Sequence, residues 1–428
     1  MYSIELEPEK IPEAGAAEVI VAGGGPAGVC AAIAAAETGA VTMLIEEAGC
    51  LGGVWTSGAL AWILDAEGKS RKSILTRIVK TLRQRDELEF AGAGTPAFQV
   101  EAMKVLLDEL SLAAGVKIRC YTRVVGVKRS SEGAISHLIT ESDSGREAWG
   151  GRVFIDCTGD GTLGALAGNA FELGEPSTHR TQPMSLLALL TGLDPEQVRP
   201  YLAEQGVWHE VAARFSSLLS EGTYRPSYCG VALFHLGKGL FMLMANHQYG
   251  CSSLDAGDLT KATIAARGEI YRQIQILRTR GPVWRNVQLV ATGARIGARE
   301  GRRLNGLYRV TLRDVLTGKT HPDGICPVRF GIDVHALSQD GDCKLEATPP
   351  VAGCYEIPLR ALIARDLPNL LMAGRCISGD FHAHASYRVS GNAAVTGQAA
   401  GILAALAAKR GTFPANVDYN DVIQEMER

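Results

Sequence analysis

The N-terminal run Glu18-Val-Ile-Val-Ala22 enters Gly23-Gly-Gly25-Pro-Ala-Gly28 directly, and an Ala-rich, helix-favouring stretch follows from Val29 to Thr38. Few folds accommodate that order. It predicts a strand, a tight turn and a helix in immediate succession. Gly23 permits the turn, Gly25 lets the backbone come close to a pyrophosphate, and Gly28 lets the helix pack on the strand with its N-terminus facing the phosphates. A second apolar run, Ala40 to Ile45, ends in Glu46, 18 residues beyond Gly28, where a carboxylate suits a ribose hydroxyl. Strand, fingerprint, helix, strand and terminal acid together predict a dinucleotide-binding unit. The bare alternative is a glycine-rich turn without a ligand.

Composition narrows the class. The chain has 428 residues, 46% of them hydrophobic, and a formal net charge of -3 without a long basic run, so nucleic acid and anionic membrane are not expected partners. Met1 to Ala17 is acidic and contains proline, unlike a secretory signal, and no uninterrupted apolar stretch has the length of a membrane span. The ten cysteines are scattered without a CxxC pair or histidines at zinc spacing. Reduced thiols, a cytoplasmic location and no metal are the expectation.

Cys50-Leu-Gly-Gly-Val-Trp-Thr56 adds a second glycine-rich turn just past the acid, which a nicotinamide enzyme does not need. With these residues the chain resembles the FAD-dependent oxidoreductases with two dinucleotide-binding domains. The resemblance implies FAD, with Gly23, Gly25, Pro26, Ala27 and Gly28 on the pyrophosphate and Glu46 on the adenosine ribose. Gly52, Gly53, Trp55 and Thr56 would run toward the flavin ring.

Val100 to Ala113 carries a helical apolar spacing, and Val116 to Val127 reads as a β-rich segment. The resemblance implies main-chain contact of Val124 and Val125 with the adenine; plain sheet core is an equal reading. Arg152 to Thr158 then runs into Gly159-Asp-Gly161-Thr-Leu-Gly164, a second literal fingerprint. No strand ending in an acid follows at the required distance, which argues against a separate nicotinamide fold. The resemblance instead puts Thr158, Gly159 and Asp160 near FAD, although Asp160 also suits a turn or a helix cap.

From Phe171 to Cys354 short strands such as Val231 to His235 and Leu240 to Met244 alternate with helical patterns such as Thr260 to Arg278. This reads as a substrate or cap domain. Thr181 to Ser185, Ile296 to Leu304 and Gly331 to His335 look like blocks of one branch of the family, with Gly301 a small departure where that branch more usually has Thr or Ser. Arg299, Arg302 and Arg303 suit an anionic substrate, or structural ion pairs at helical spacing. His247 and His335 are the better mid-chain candidates for the pocket, ahead of His179 and His235.

Near the C-terminus Asn369 to Arg375 reads as a strand ending in Gly-Arg, and Gly391 to Gly401 opens a small-residue helix. The block resembles the family's C-terminal motif, which adds Gly374, Arg375, Asn392 and Ala393 to the cofactor set. A helix N-terminus aimed at the flavin N1–C2=O edge would stabilise the charge of the reduced ring. His382, His384, Tyr387 and Arg388 form a titratable cluster able to supply a base and an anion anchor, the alternative being solvent-facing histidines and a structural arginine. The branch often has Thr-His-Glu-Ala where this chain has Asp380-Phe-His-Ala383. Cys50 and Cys376 read as small buried residues rather than flavin anchors.

The expected architecture is α/β: a discontinuous Rossmann-like FAD-binding domain from residues 1–170 and 355–428, with an inserted β-rich substrate or cap domain over 171–354. The expected activity is oxidation of a small molecule by hydride transfer to flavin N5, as a dehydrogenase or oxidase. Alternatives are an NAD(P)H-dependent monooxygenase and an electron-transfer subunit.

Overall fold

The computed structural model describes residues 9–66, Lys69, and residues 72–91, 95–203, 206–338 and 353–428. Cys343 lies outside them. The opening unit is β1 (Glu13–Ala22), α1 (Pro26–Glu37) and β2 (Thr42–Ile45). It is followed by α2 (Ile74–Gln84), the hairpin β3 (Leu88–Ala91) and β4 (Thr95–Phe98), and α3 (Val100–Ala113). Then come β5 (Lys117–Arg119), β6 (Arg123–Arg129), β7 (Ile135–Ser142), β8 (Gly145–Asp156) and α4 (Thr162–Ala167).

The central sheet runs β5-β2-β1-β8-β7-β6, parallel from β5 to β8 and antiparallel beyond. β1 starts earlier than Glu18 because Glu13 to Ala17 already pairs with Ala148 to Gly151. The β-rich segment from 116 to 127 is two strands rather than one. Tyr121 sits in the left-handed region (φ 55°) and breaks it, sending β5 and β6 to opposite edges of the sheet.

The middle of the chain builds a second, smaller layer. Its elements are β9 (Phe171–Glu172), β10 (Ala188–Thr191), α5 (Pro195–Val198), α6 (Trp208–Leu219), β11 (Ala232–His235), β12 (Phe241–Met244), α7 (Ala256–Arg278) and β13 (Gln288–Thr292). β11-β12-β10-β13 form an antiparallel sheet with its own core, which includes Phe215, Leu243, Ile270 and Trp284. The alternating strands and the long helix expected here are present, and they pack as a unit with a core of their own. Returning toward the central sheet are β14 (Arg303–Leu304), α8 (Leu312–Thr317), β15 (Gly324–Val328) and β16 (Tyr355–Pro358).

β17 (Leu370–Met372) then inserts beside β8 in parallel, so both ends of the chain build one sheet. The segment after it is not a plain loop: Asp380 accepts the Ala383 N–H and caps α9 (Phe381–Tyr387). α10 (Ser390–Arg410) and α11 (Tyr419–Met426) complete the chain. α10 is long and apolar enough to cross a membrane, yet it lies buried against α1. A Cβ on Gly397 or Gly401 would stand 2.1 Å from the carbonyl oxygen of Ala27 or Ala31, so these glycines let two helix backbones touch.

Candidate flavin and substrate site

The first two glycine clusters meet in space. Gly52 N–H donates to the Gly24 carbonyl at 2.7 Å, and a Cβ on Gly53 would lie 2.8 Å from the Gly25 Cα. At Gly28 a Cβ would fall 1.7 Å from the Gly23 carbonyl oxygen, and Gly23 itself is left-handed (φ 94°). Glu46 ends β2 beneath this turn, its carboxylate accepting the N–H groups of Gly24 and Ala48. Burial pushes its pKa up against those hydrogen bonds. Each oxygen keeps a lone pair for a hydroxyl donor. The main chain of 46–48 bonds to 119–122, which brings Val124 and Val125 close behind.

Helix termini supply an independent indication of what lies here. α1, α4 and α10 follow the three glycine clusters, and these three have neither a side-chain cap nor an acid in the first turn. Every other described α-helix has at least one of the two. At α4 the Thr158 hydroxyl and the Asp156 carboxylate already accept the Thr162 and Gly164 N–H groups, so the uncapped N-termini that suit an external anion are those of α1 and α10. Trp55 Nε1, Arg375 Nη1 and Asn392 Nδ2 are buried there without a hydrogen-bond partner among the described residues. These features fit a dinucleotide carrying a pyrophosphate and a polar ring edge.

The second fingerprint does not start a second nucleotide fold. α4 ends at Gly168, and the next strand, β9, pairs with β14 antiparallel outside the central sheet. Asp156, at the end of β8, accepts Thr158 and Gly164 and holds this turn together. Asp160 pairs with Arg375 at 3.0 Å and accepts Ser253 Oγ at 2.9 Å, so its carboxylate ties the second cluster to the third and to the middle of the chain. The departure at Gly301 is larger in effect than its size suggests. A Cβ there would stand 2.4 Å from Asp160 Oδ1 and 3.0 Å from Arg375 Nη1, so a Thr or Ser would displace this ion pair.

Asn392 and Ala393 lie in the first turn of α10, and Gly374 N–H donates to Thr396 Oγ1. Asn392 Oδ1 accepts from Lys69 Nζ at 2.6 Å, and Lys69 is itself buried beside Asp65 at 3.2 Å. Nothing in the local sequence signals that pair. Cys376 is buried, its thiol pushed well up by burial and donating to the Asp156 carbonyl; Cys50 lies beside Thr56 and Ser57.

Of the four C-terminal candidates, Arg388 joins a polar cluster with Gln182 and Asp333. His384 is fully buried, its Nε2 3.1 Å from the Arg375 carbonyl, and the Tyr387 hydroxyl donates to the Ile377 carbonyl at 2.9 Å. Burial, with Arg303 nearby, keeps His384 neutral. His382 is half-buried with its ring edge-on to Phe381.

Three blocks distant in sequence converge around Arg388. Its Nη2 meets Asp333 Oδ2 at 3.0 Å; the same carboxylate oxygen meets His335 Nε2 at 3.2 Å. Gln182 accepts the His335 N–H at 3.0 Å, and the His335 ring lies 4.9 Å from that of His247, which stacks on Tyr228 at 3.9 Å. Arg299 enters from the arginine block, Nη1 donating to the Pro183 carbonyl at 2.6 Å and Ser185 Oγ at 3.0 Å. That block is not helical, and its arginines part company. Arg303 pairs with Glu300 at 3.3 Å, and Arg302 lies over the Phe171 ring.

The charges are set by burial and by each other. Burial and the Arg299 cation push His335 down to about 4 and His247 further. Burial alone would raise Asp333, but the His335 hydrogen bond and Arg388 hold it well below the carboxylate range. An ionised Asp333 can only accept, so the neutral His335 donates through Nε2 and its Nδ1 is a bare lone pair. Asp333 was not singled out from the sequence. Its two-residue spacing from His335 in Gly331 to His335, which sets both on one side of an extended chain, was the available signal.

A profile of the FAD dependent oxidoreductase family matches residues 18–426. The chain belongs to this family. It is an FAD-dependent oxidoreductase, and FAD is its cofactor. No curated protein matches its sequence. Among solved structures it is similar to p-nitrophenol 4-monooxygenase PnpA from Pseudomonas putida DLL-E4, at 11% identity and a TM-score of 0.52 over 96% of this chain and 84% of that one. It is also similar to a geranylgeranyl bacteriochlorophyll reductase-like protein from Thermoplasma acidophilum, at 12% identity and a TM-score of 0.45 over 96% and 82%. At these identities the likeness to PnpA is one of fold.

Proposed function

We propose that this FAD-dependent oxidoreductase oxidises a small organic molecule in the pocket beneath the cap, as a dehydrogenase or oxidase. The observation that carries the reading is the Asp333–His335 pair: a neutral imidazole oriented by an anionic carboxylate, linked through Gln182 to Glu300 beside Gly301. Gly23 to Gly28, Glu46, Gly52, Gly53, Thr158, Gly159 and the first turn of α10 would hold FAD, which would supply the hydride acceptor at N5.

The chain's own residues do the rest. As the C–H pair departs, His335 Nδ1 takes the proton of the adjoining O–H or N–H, so a carbonyl or imine forms and the balance closes. Asp333 fixes the tautomer and stabilises the resulting imidazolium. Arg388 holds Asp333 in place, and the cap excludes water.

The pH profile tests the proton acceptor. In kcat/KM an acid limb from His335 in the free enzyme is expected at about pH 4. Arg299 disfavours protonation of that ring, so Arg299→Gln moves the limb to higher pH, toward the ordinary histidine value. A limb that stays fixed in Arg299→Gln, or is present unchanged in His335→Gln, contradicts the assignment.

A further inference from the structure

We infer that the substrate carries a carboxylate, received by Arg299 together with Arg388; the inference rests on the reading of this pocket as the substrate site. The neighbouring arginines each have a counter-ion: Glu300 for Arg303 at 3.3 Å, Asp160 for Arg375 at 3.0 Å and Asp333 for Arg388 at 3.0 Å. Arg299 has none within ion-pair distance among the described residues; its contacts are a carbonyl and a hydroxyl through Nη1. Burial and the Arg388 cation push its guanidinium down to about 10, the mark of a cation with too little negative charge around it.

The charge count points to the ligand. Among the described residues two guanidiniums face one carboxylate, and the imidazoles of His247 and His335 are neutral, which leaves one positive charge in excess. A desolvated cation without a partner is expensive, and a monoanion balances it where a neutral alcohol or a dianion does not. A planar guanidinium edge also matches a carboxylate in geometry. Among the described residues Arg388 Nε, Gln182 Nε2 and His247 Nε2 are buried in the same cluster without partners, so polar atoms of the ligand have further places to bond.

The test uses the flavin-loaded enzyme and matched probes: propionate with propionamide, benzoate with benzamide, and inorganic phosphate. Binding is read from the visible flavin spectrum and the thermal unfolding midpoint. Carboxylates are expected to bind saturably and the amides at least about tenfold more weakly, as expected from the loss of a charge-assisted hydrogen bond. Arg299→Gln should weaken the carboxylates by about the same factor and leave the amides unmoved. Should that variant fold poorly, Arg299→Lys keeps the charge without the fork and is expected to fall between.

Equal binding of acid and amide, unchanged carboxylate binding in Arg299→Gln, no carboxylate binding at all, or phosphate bound in preference to every carboxylate overturns the inference. Carboxylate binding without any substrate reducing the flavin leaves it standing and removes the oxidation reading. Flavin reduction by a substrate that lacks a carboxylate does the reverse.

Discussion

Gly28→Ala is expected to yield a protein that no longer retains FAD and is destabilised by about 3 kcal/mol or more, the upper range of overpacking penalties. The new methyl would stand 1.7 Å from the Gly23 carbonyl oxygen, a main-chain atom inside the turn that cannot swing aside. Gly25→Ala separates the two effects. Its φ of -69° is open to any residue, and the nearest atom to a Cβ is the Gly53 Cα at 4.0 Å, so the fold should keep its unfolding midpoint. FAD should still be lost, because the methyl would fill the space through which the pyrophosphate approaches the backbone. Flavin content and the thermal midpoint, measured side by side, check this. A fully yellow Gly25→Ala protein would mean that the pyrophosphate lies elsewhere.

His335→Ala is expected to lower kcat by about 10²- to 10⁴-fold, the usual contribution of a positioned proton acceptor. Asp333→Asn should also lose rate while leaving the fold intact, because an amide in place of the carboxylate no longer requires Nε2 to be the protonated nitrogen. His247→Gln is the control. His247 lies next to His335 but has no carboxylate behind it; its Nδ1 meets the Tyr249 hydroxyl at 3.2 Å. Stopped-flow rates of flavin reduction in the three variants give the ranking, and a slower His247→Gln than His335→Ala would exchange their roles.

The nucleotide half of this fold is legible because its requirements are local. Gly23 to Gly28 and Glu46 act within one strand-turn-helix-strand unit, and their spacing in the chain is their spacing in space. The pocket is another matter. Gln182, Arg299, Asp333 and Arg388 come from four separate segments outside the strands, so their meeting depends on tertiary packing and not on spacing along the chain.

Local context misleads in places. His384 and Tyr387 read as members of a titratable cluster over the reactive face, yet Asp380 starts a helix there and turns both into the interior. The arginines 299 to 303 have helical spacing on extended chain. Gly301 needed the structure, since its contact with Asp160 spans more than a hundred residues.

The central claim is that electrons enter the flavin from a substrate in this pocket. Anaerobic mixing of the FAD-loaded enzyme with a panel of small hydroxy acids, amino acids and sugar acids, with no nicotinamide present, tests it most directly. The account predicts that at least one of them bleaches the flavin stoichiometrically, and that His335→Ala bleaches far more slowly. Bleaching by NADH or NADPH alone, with every panel member inert, would contradict it.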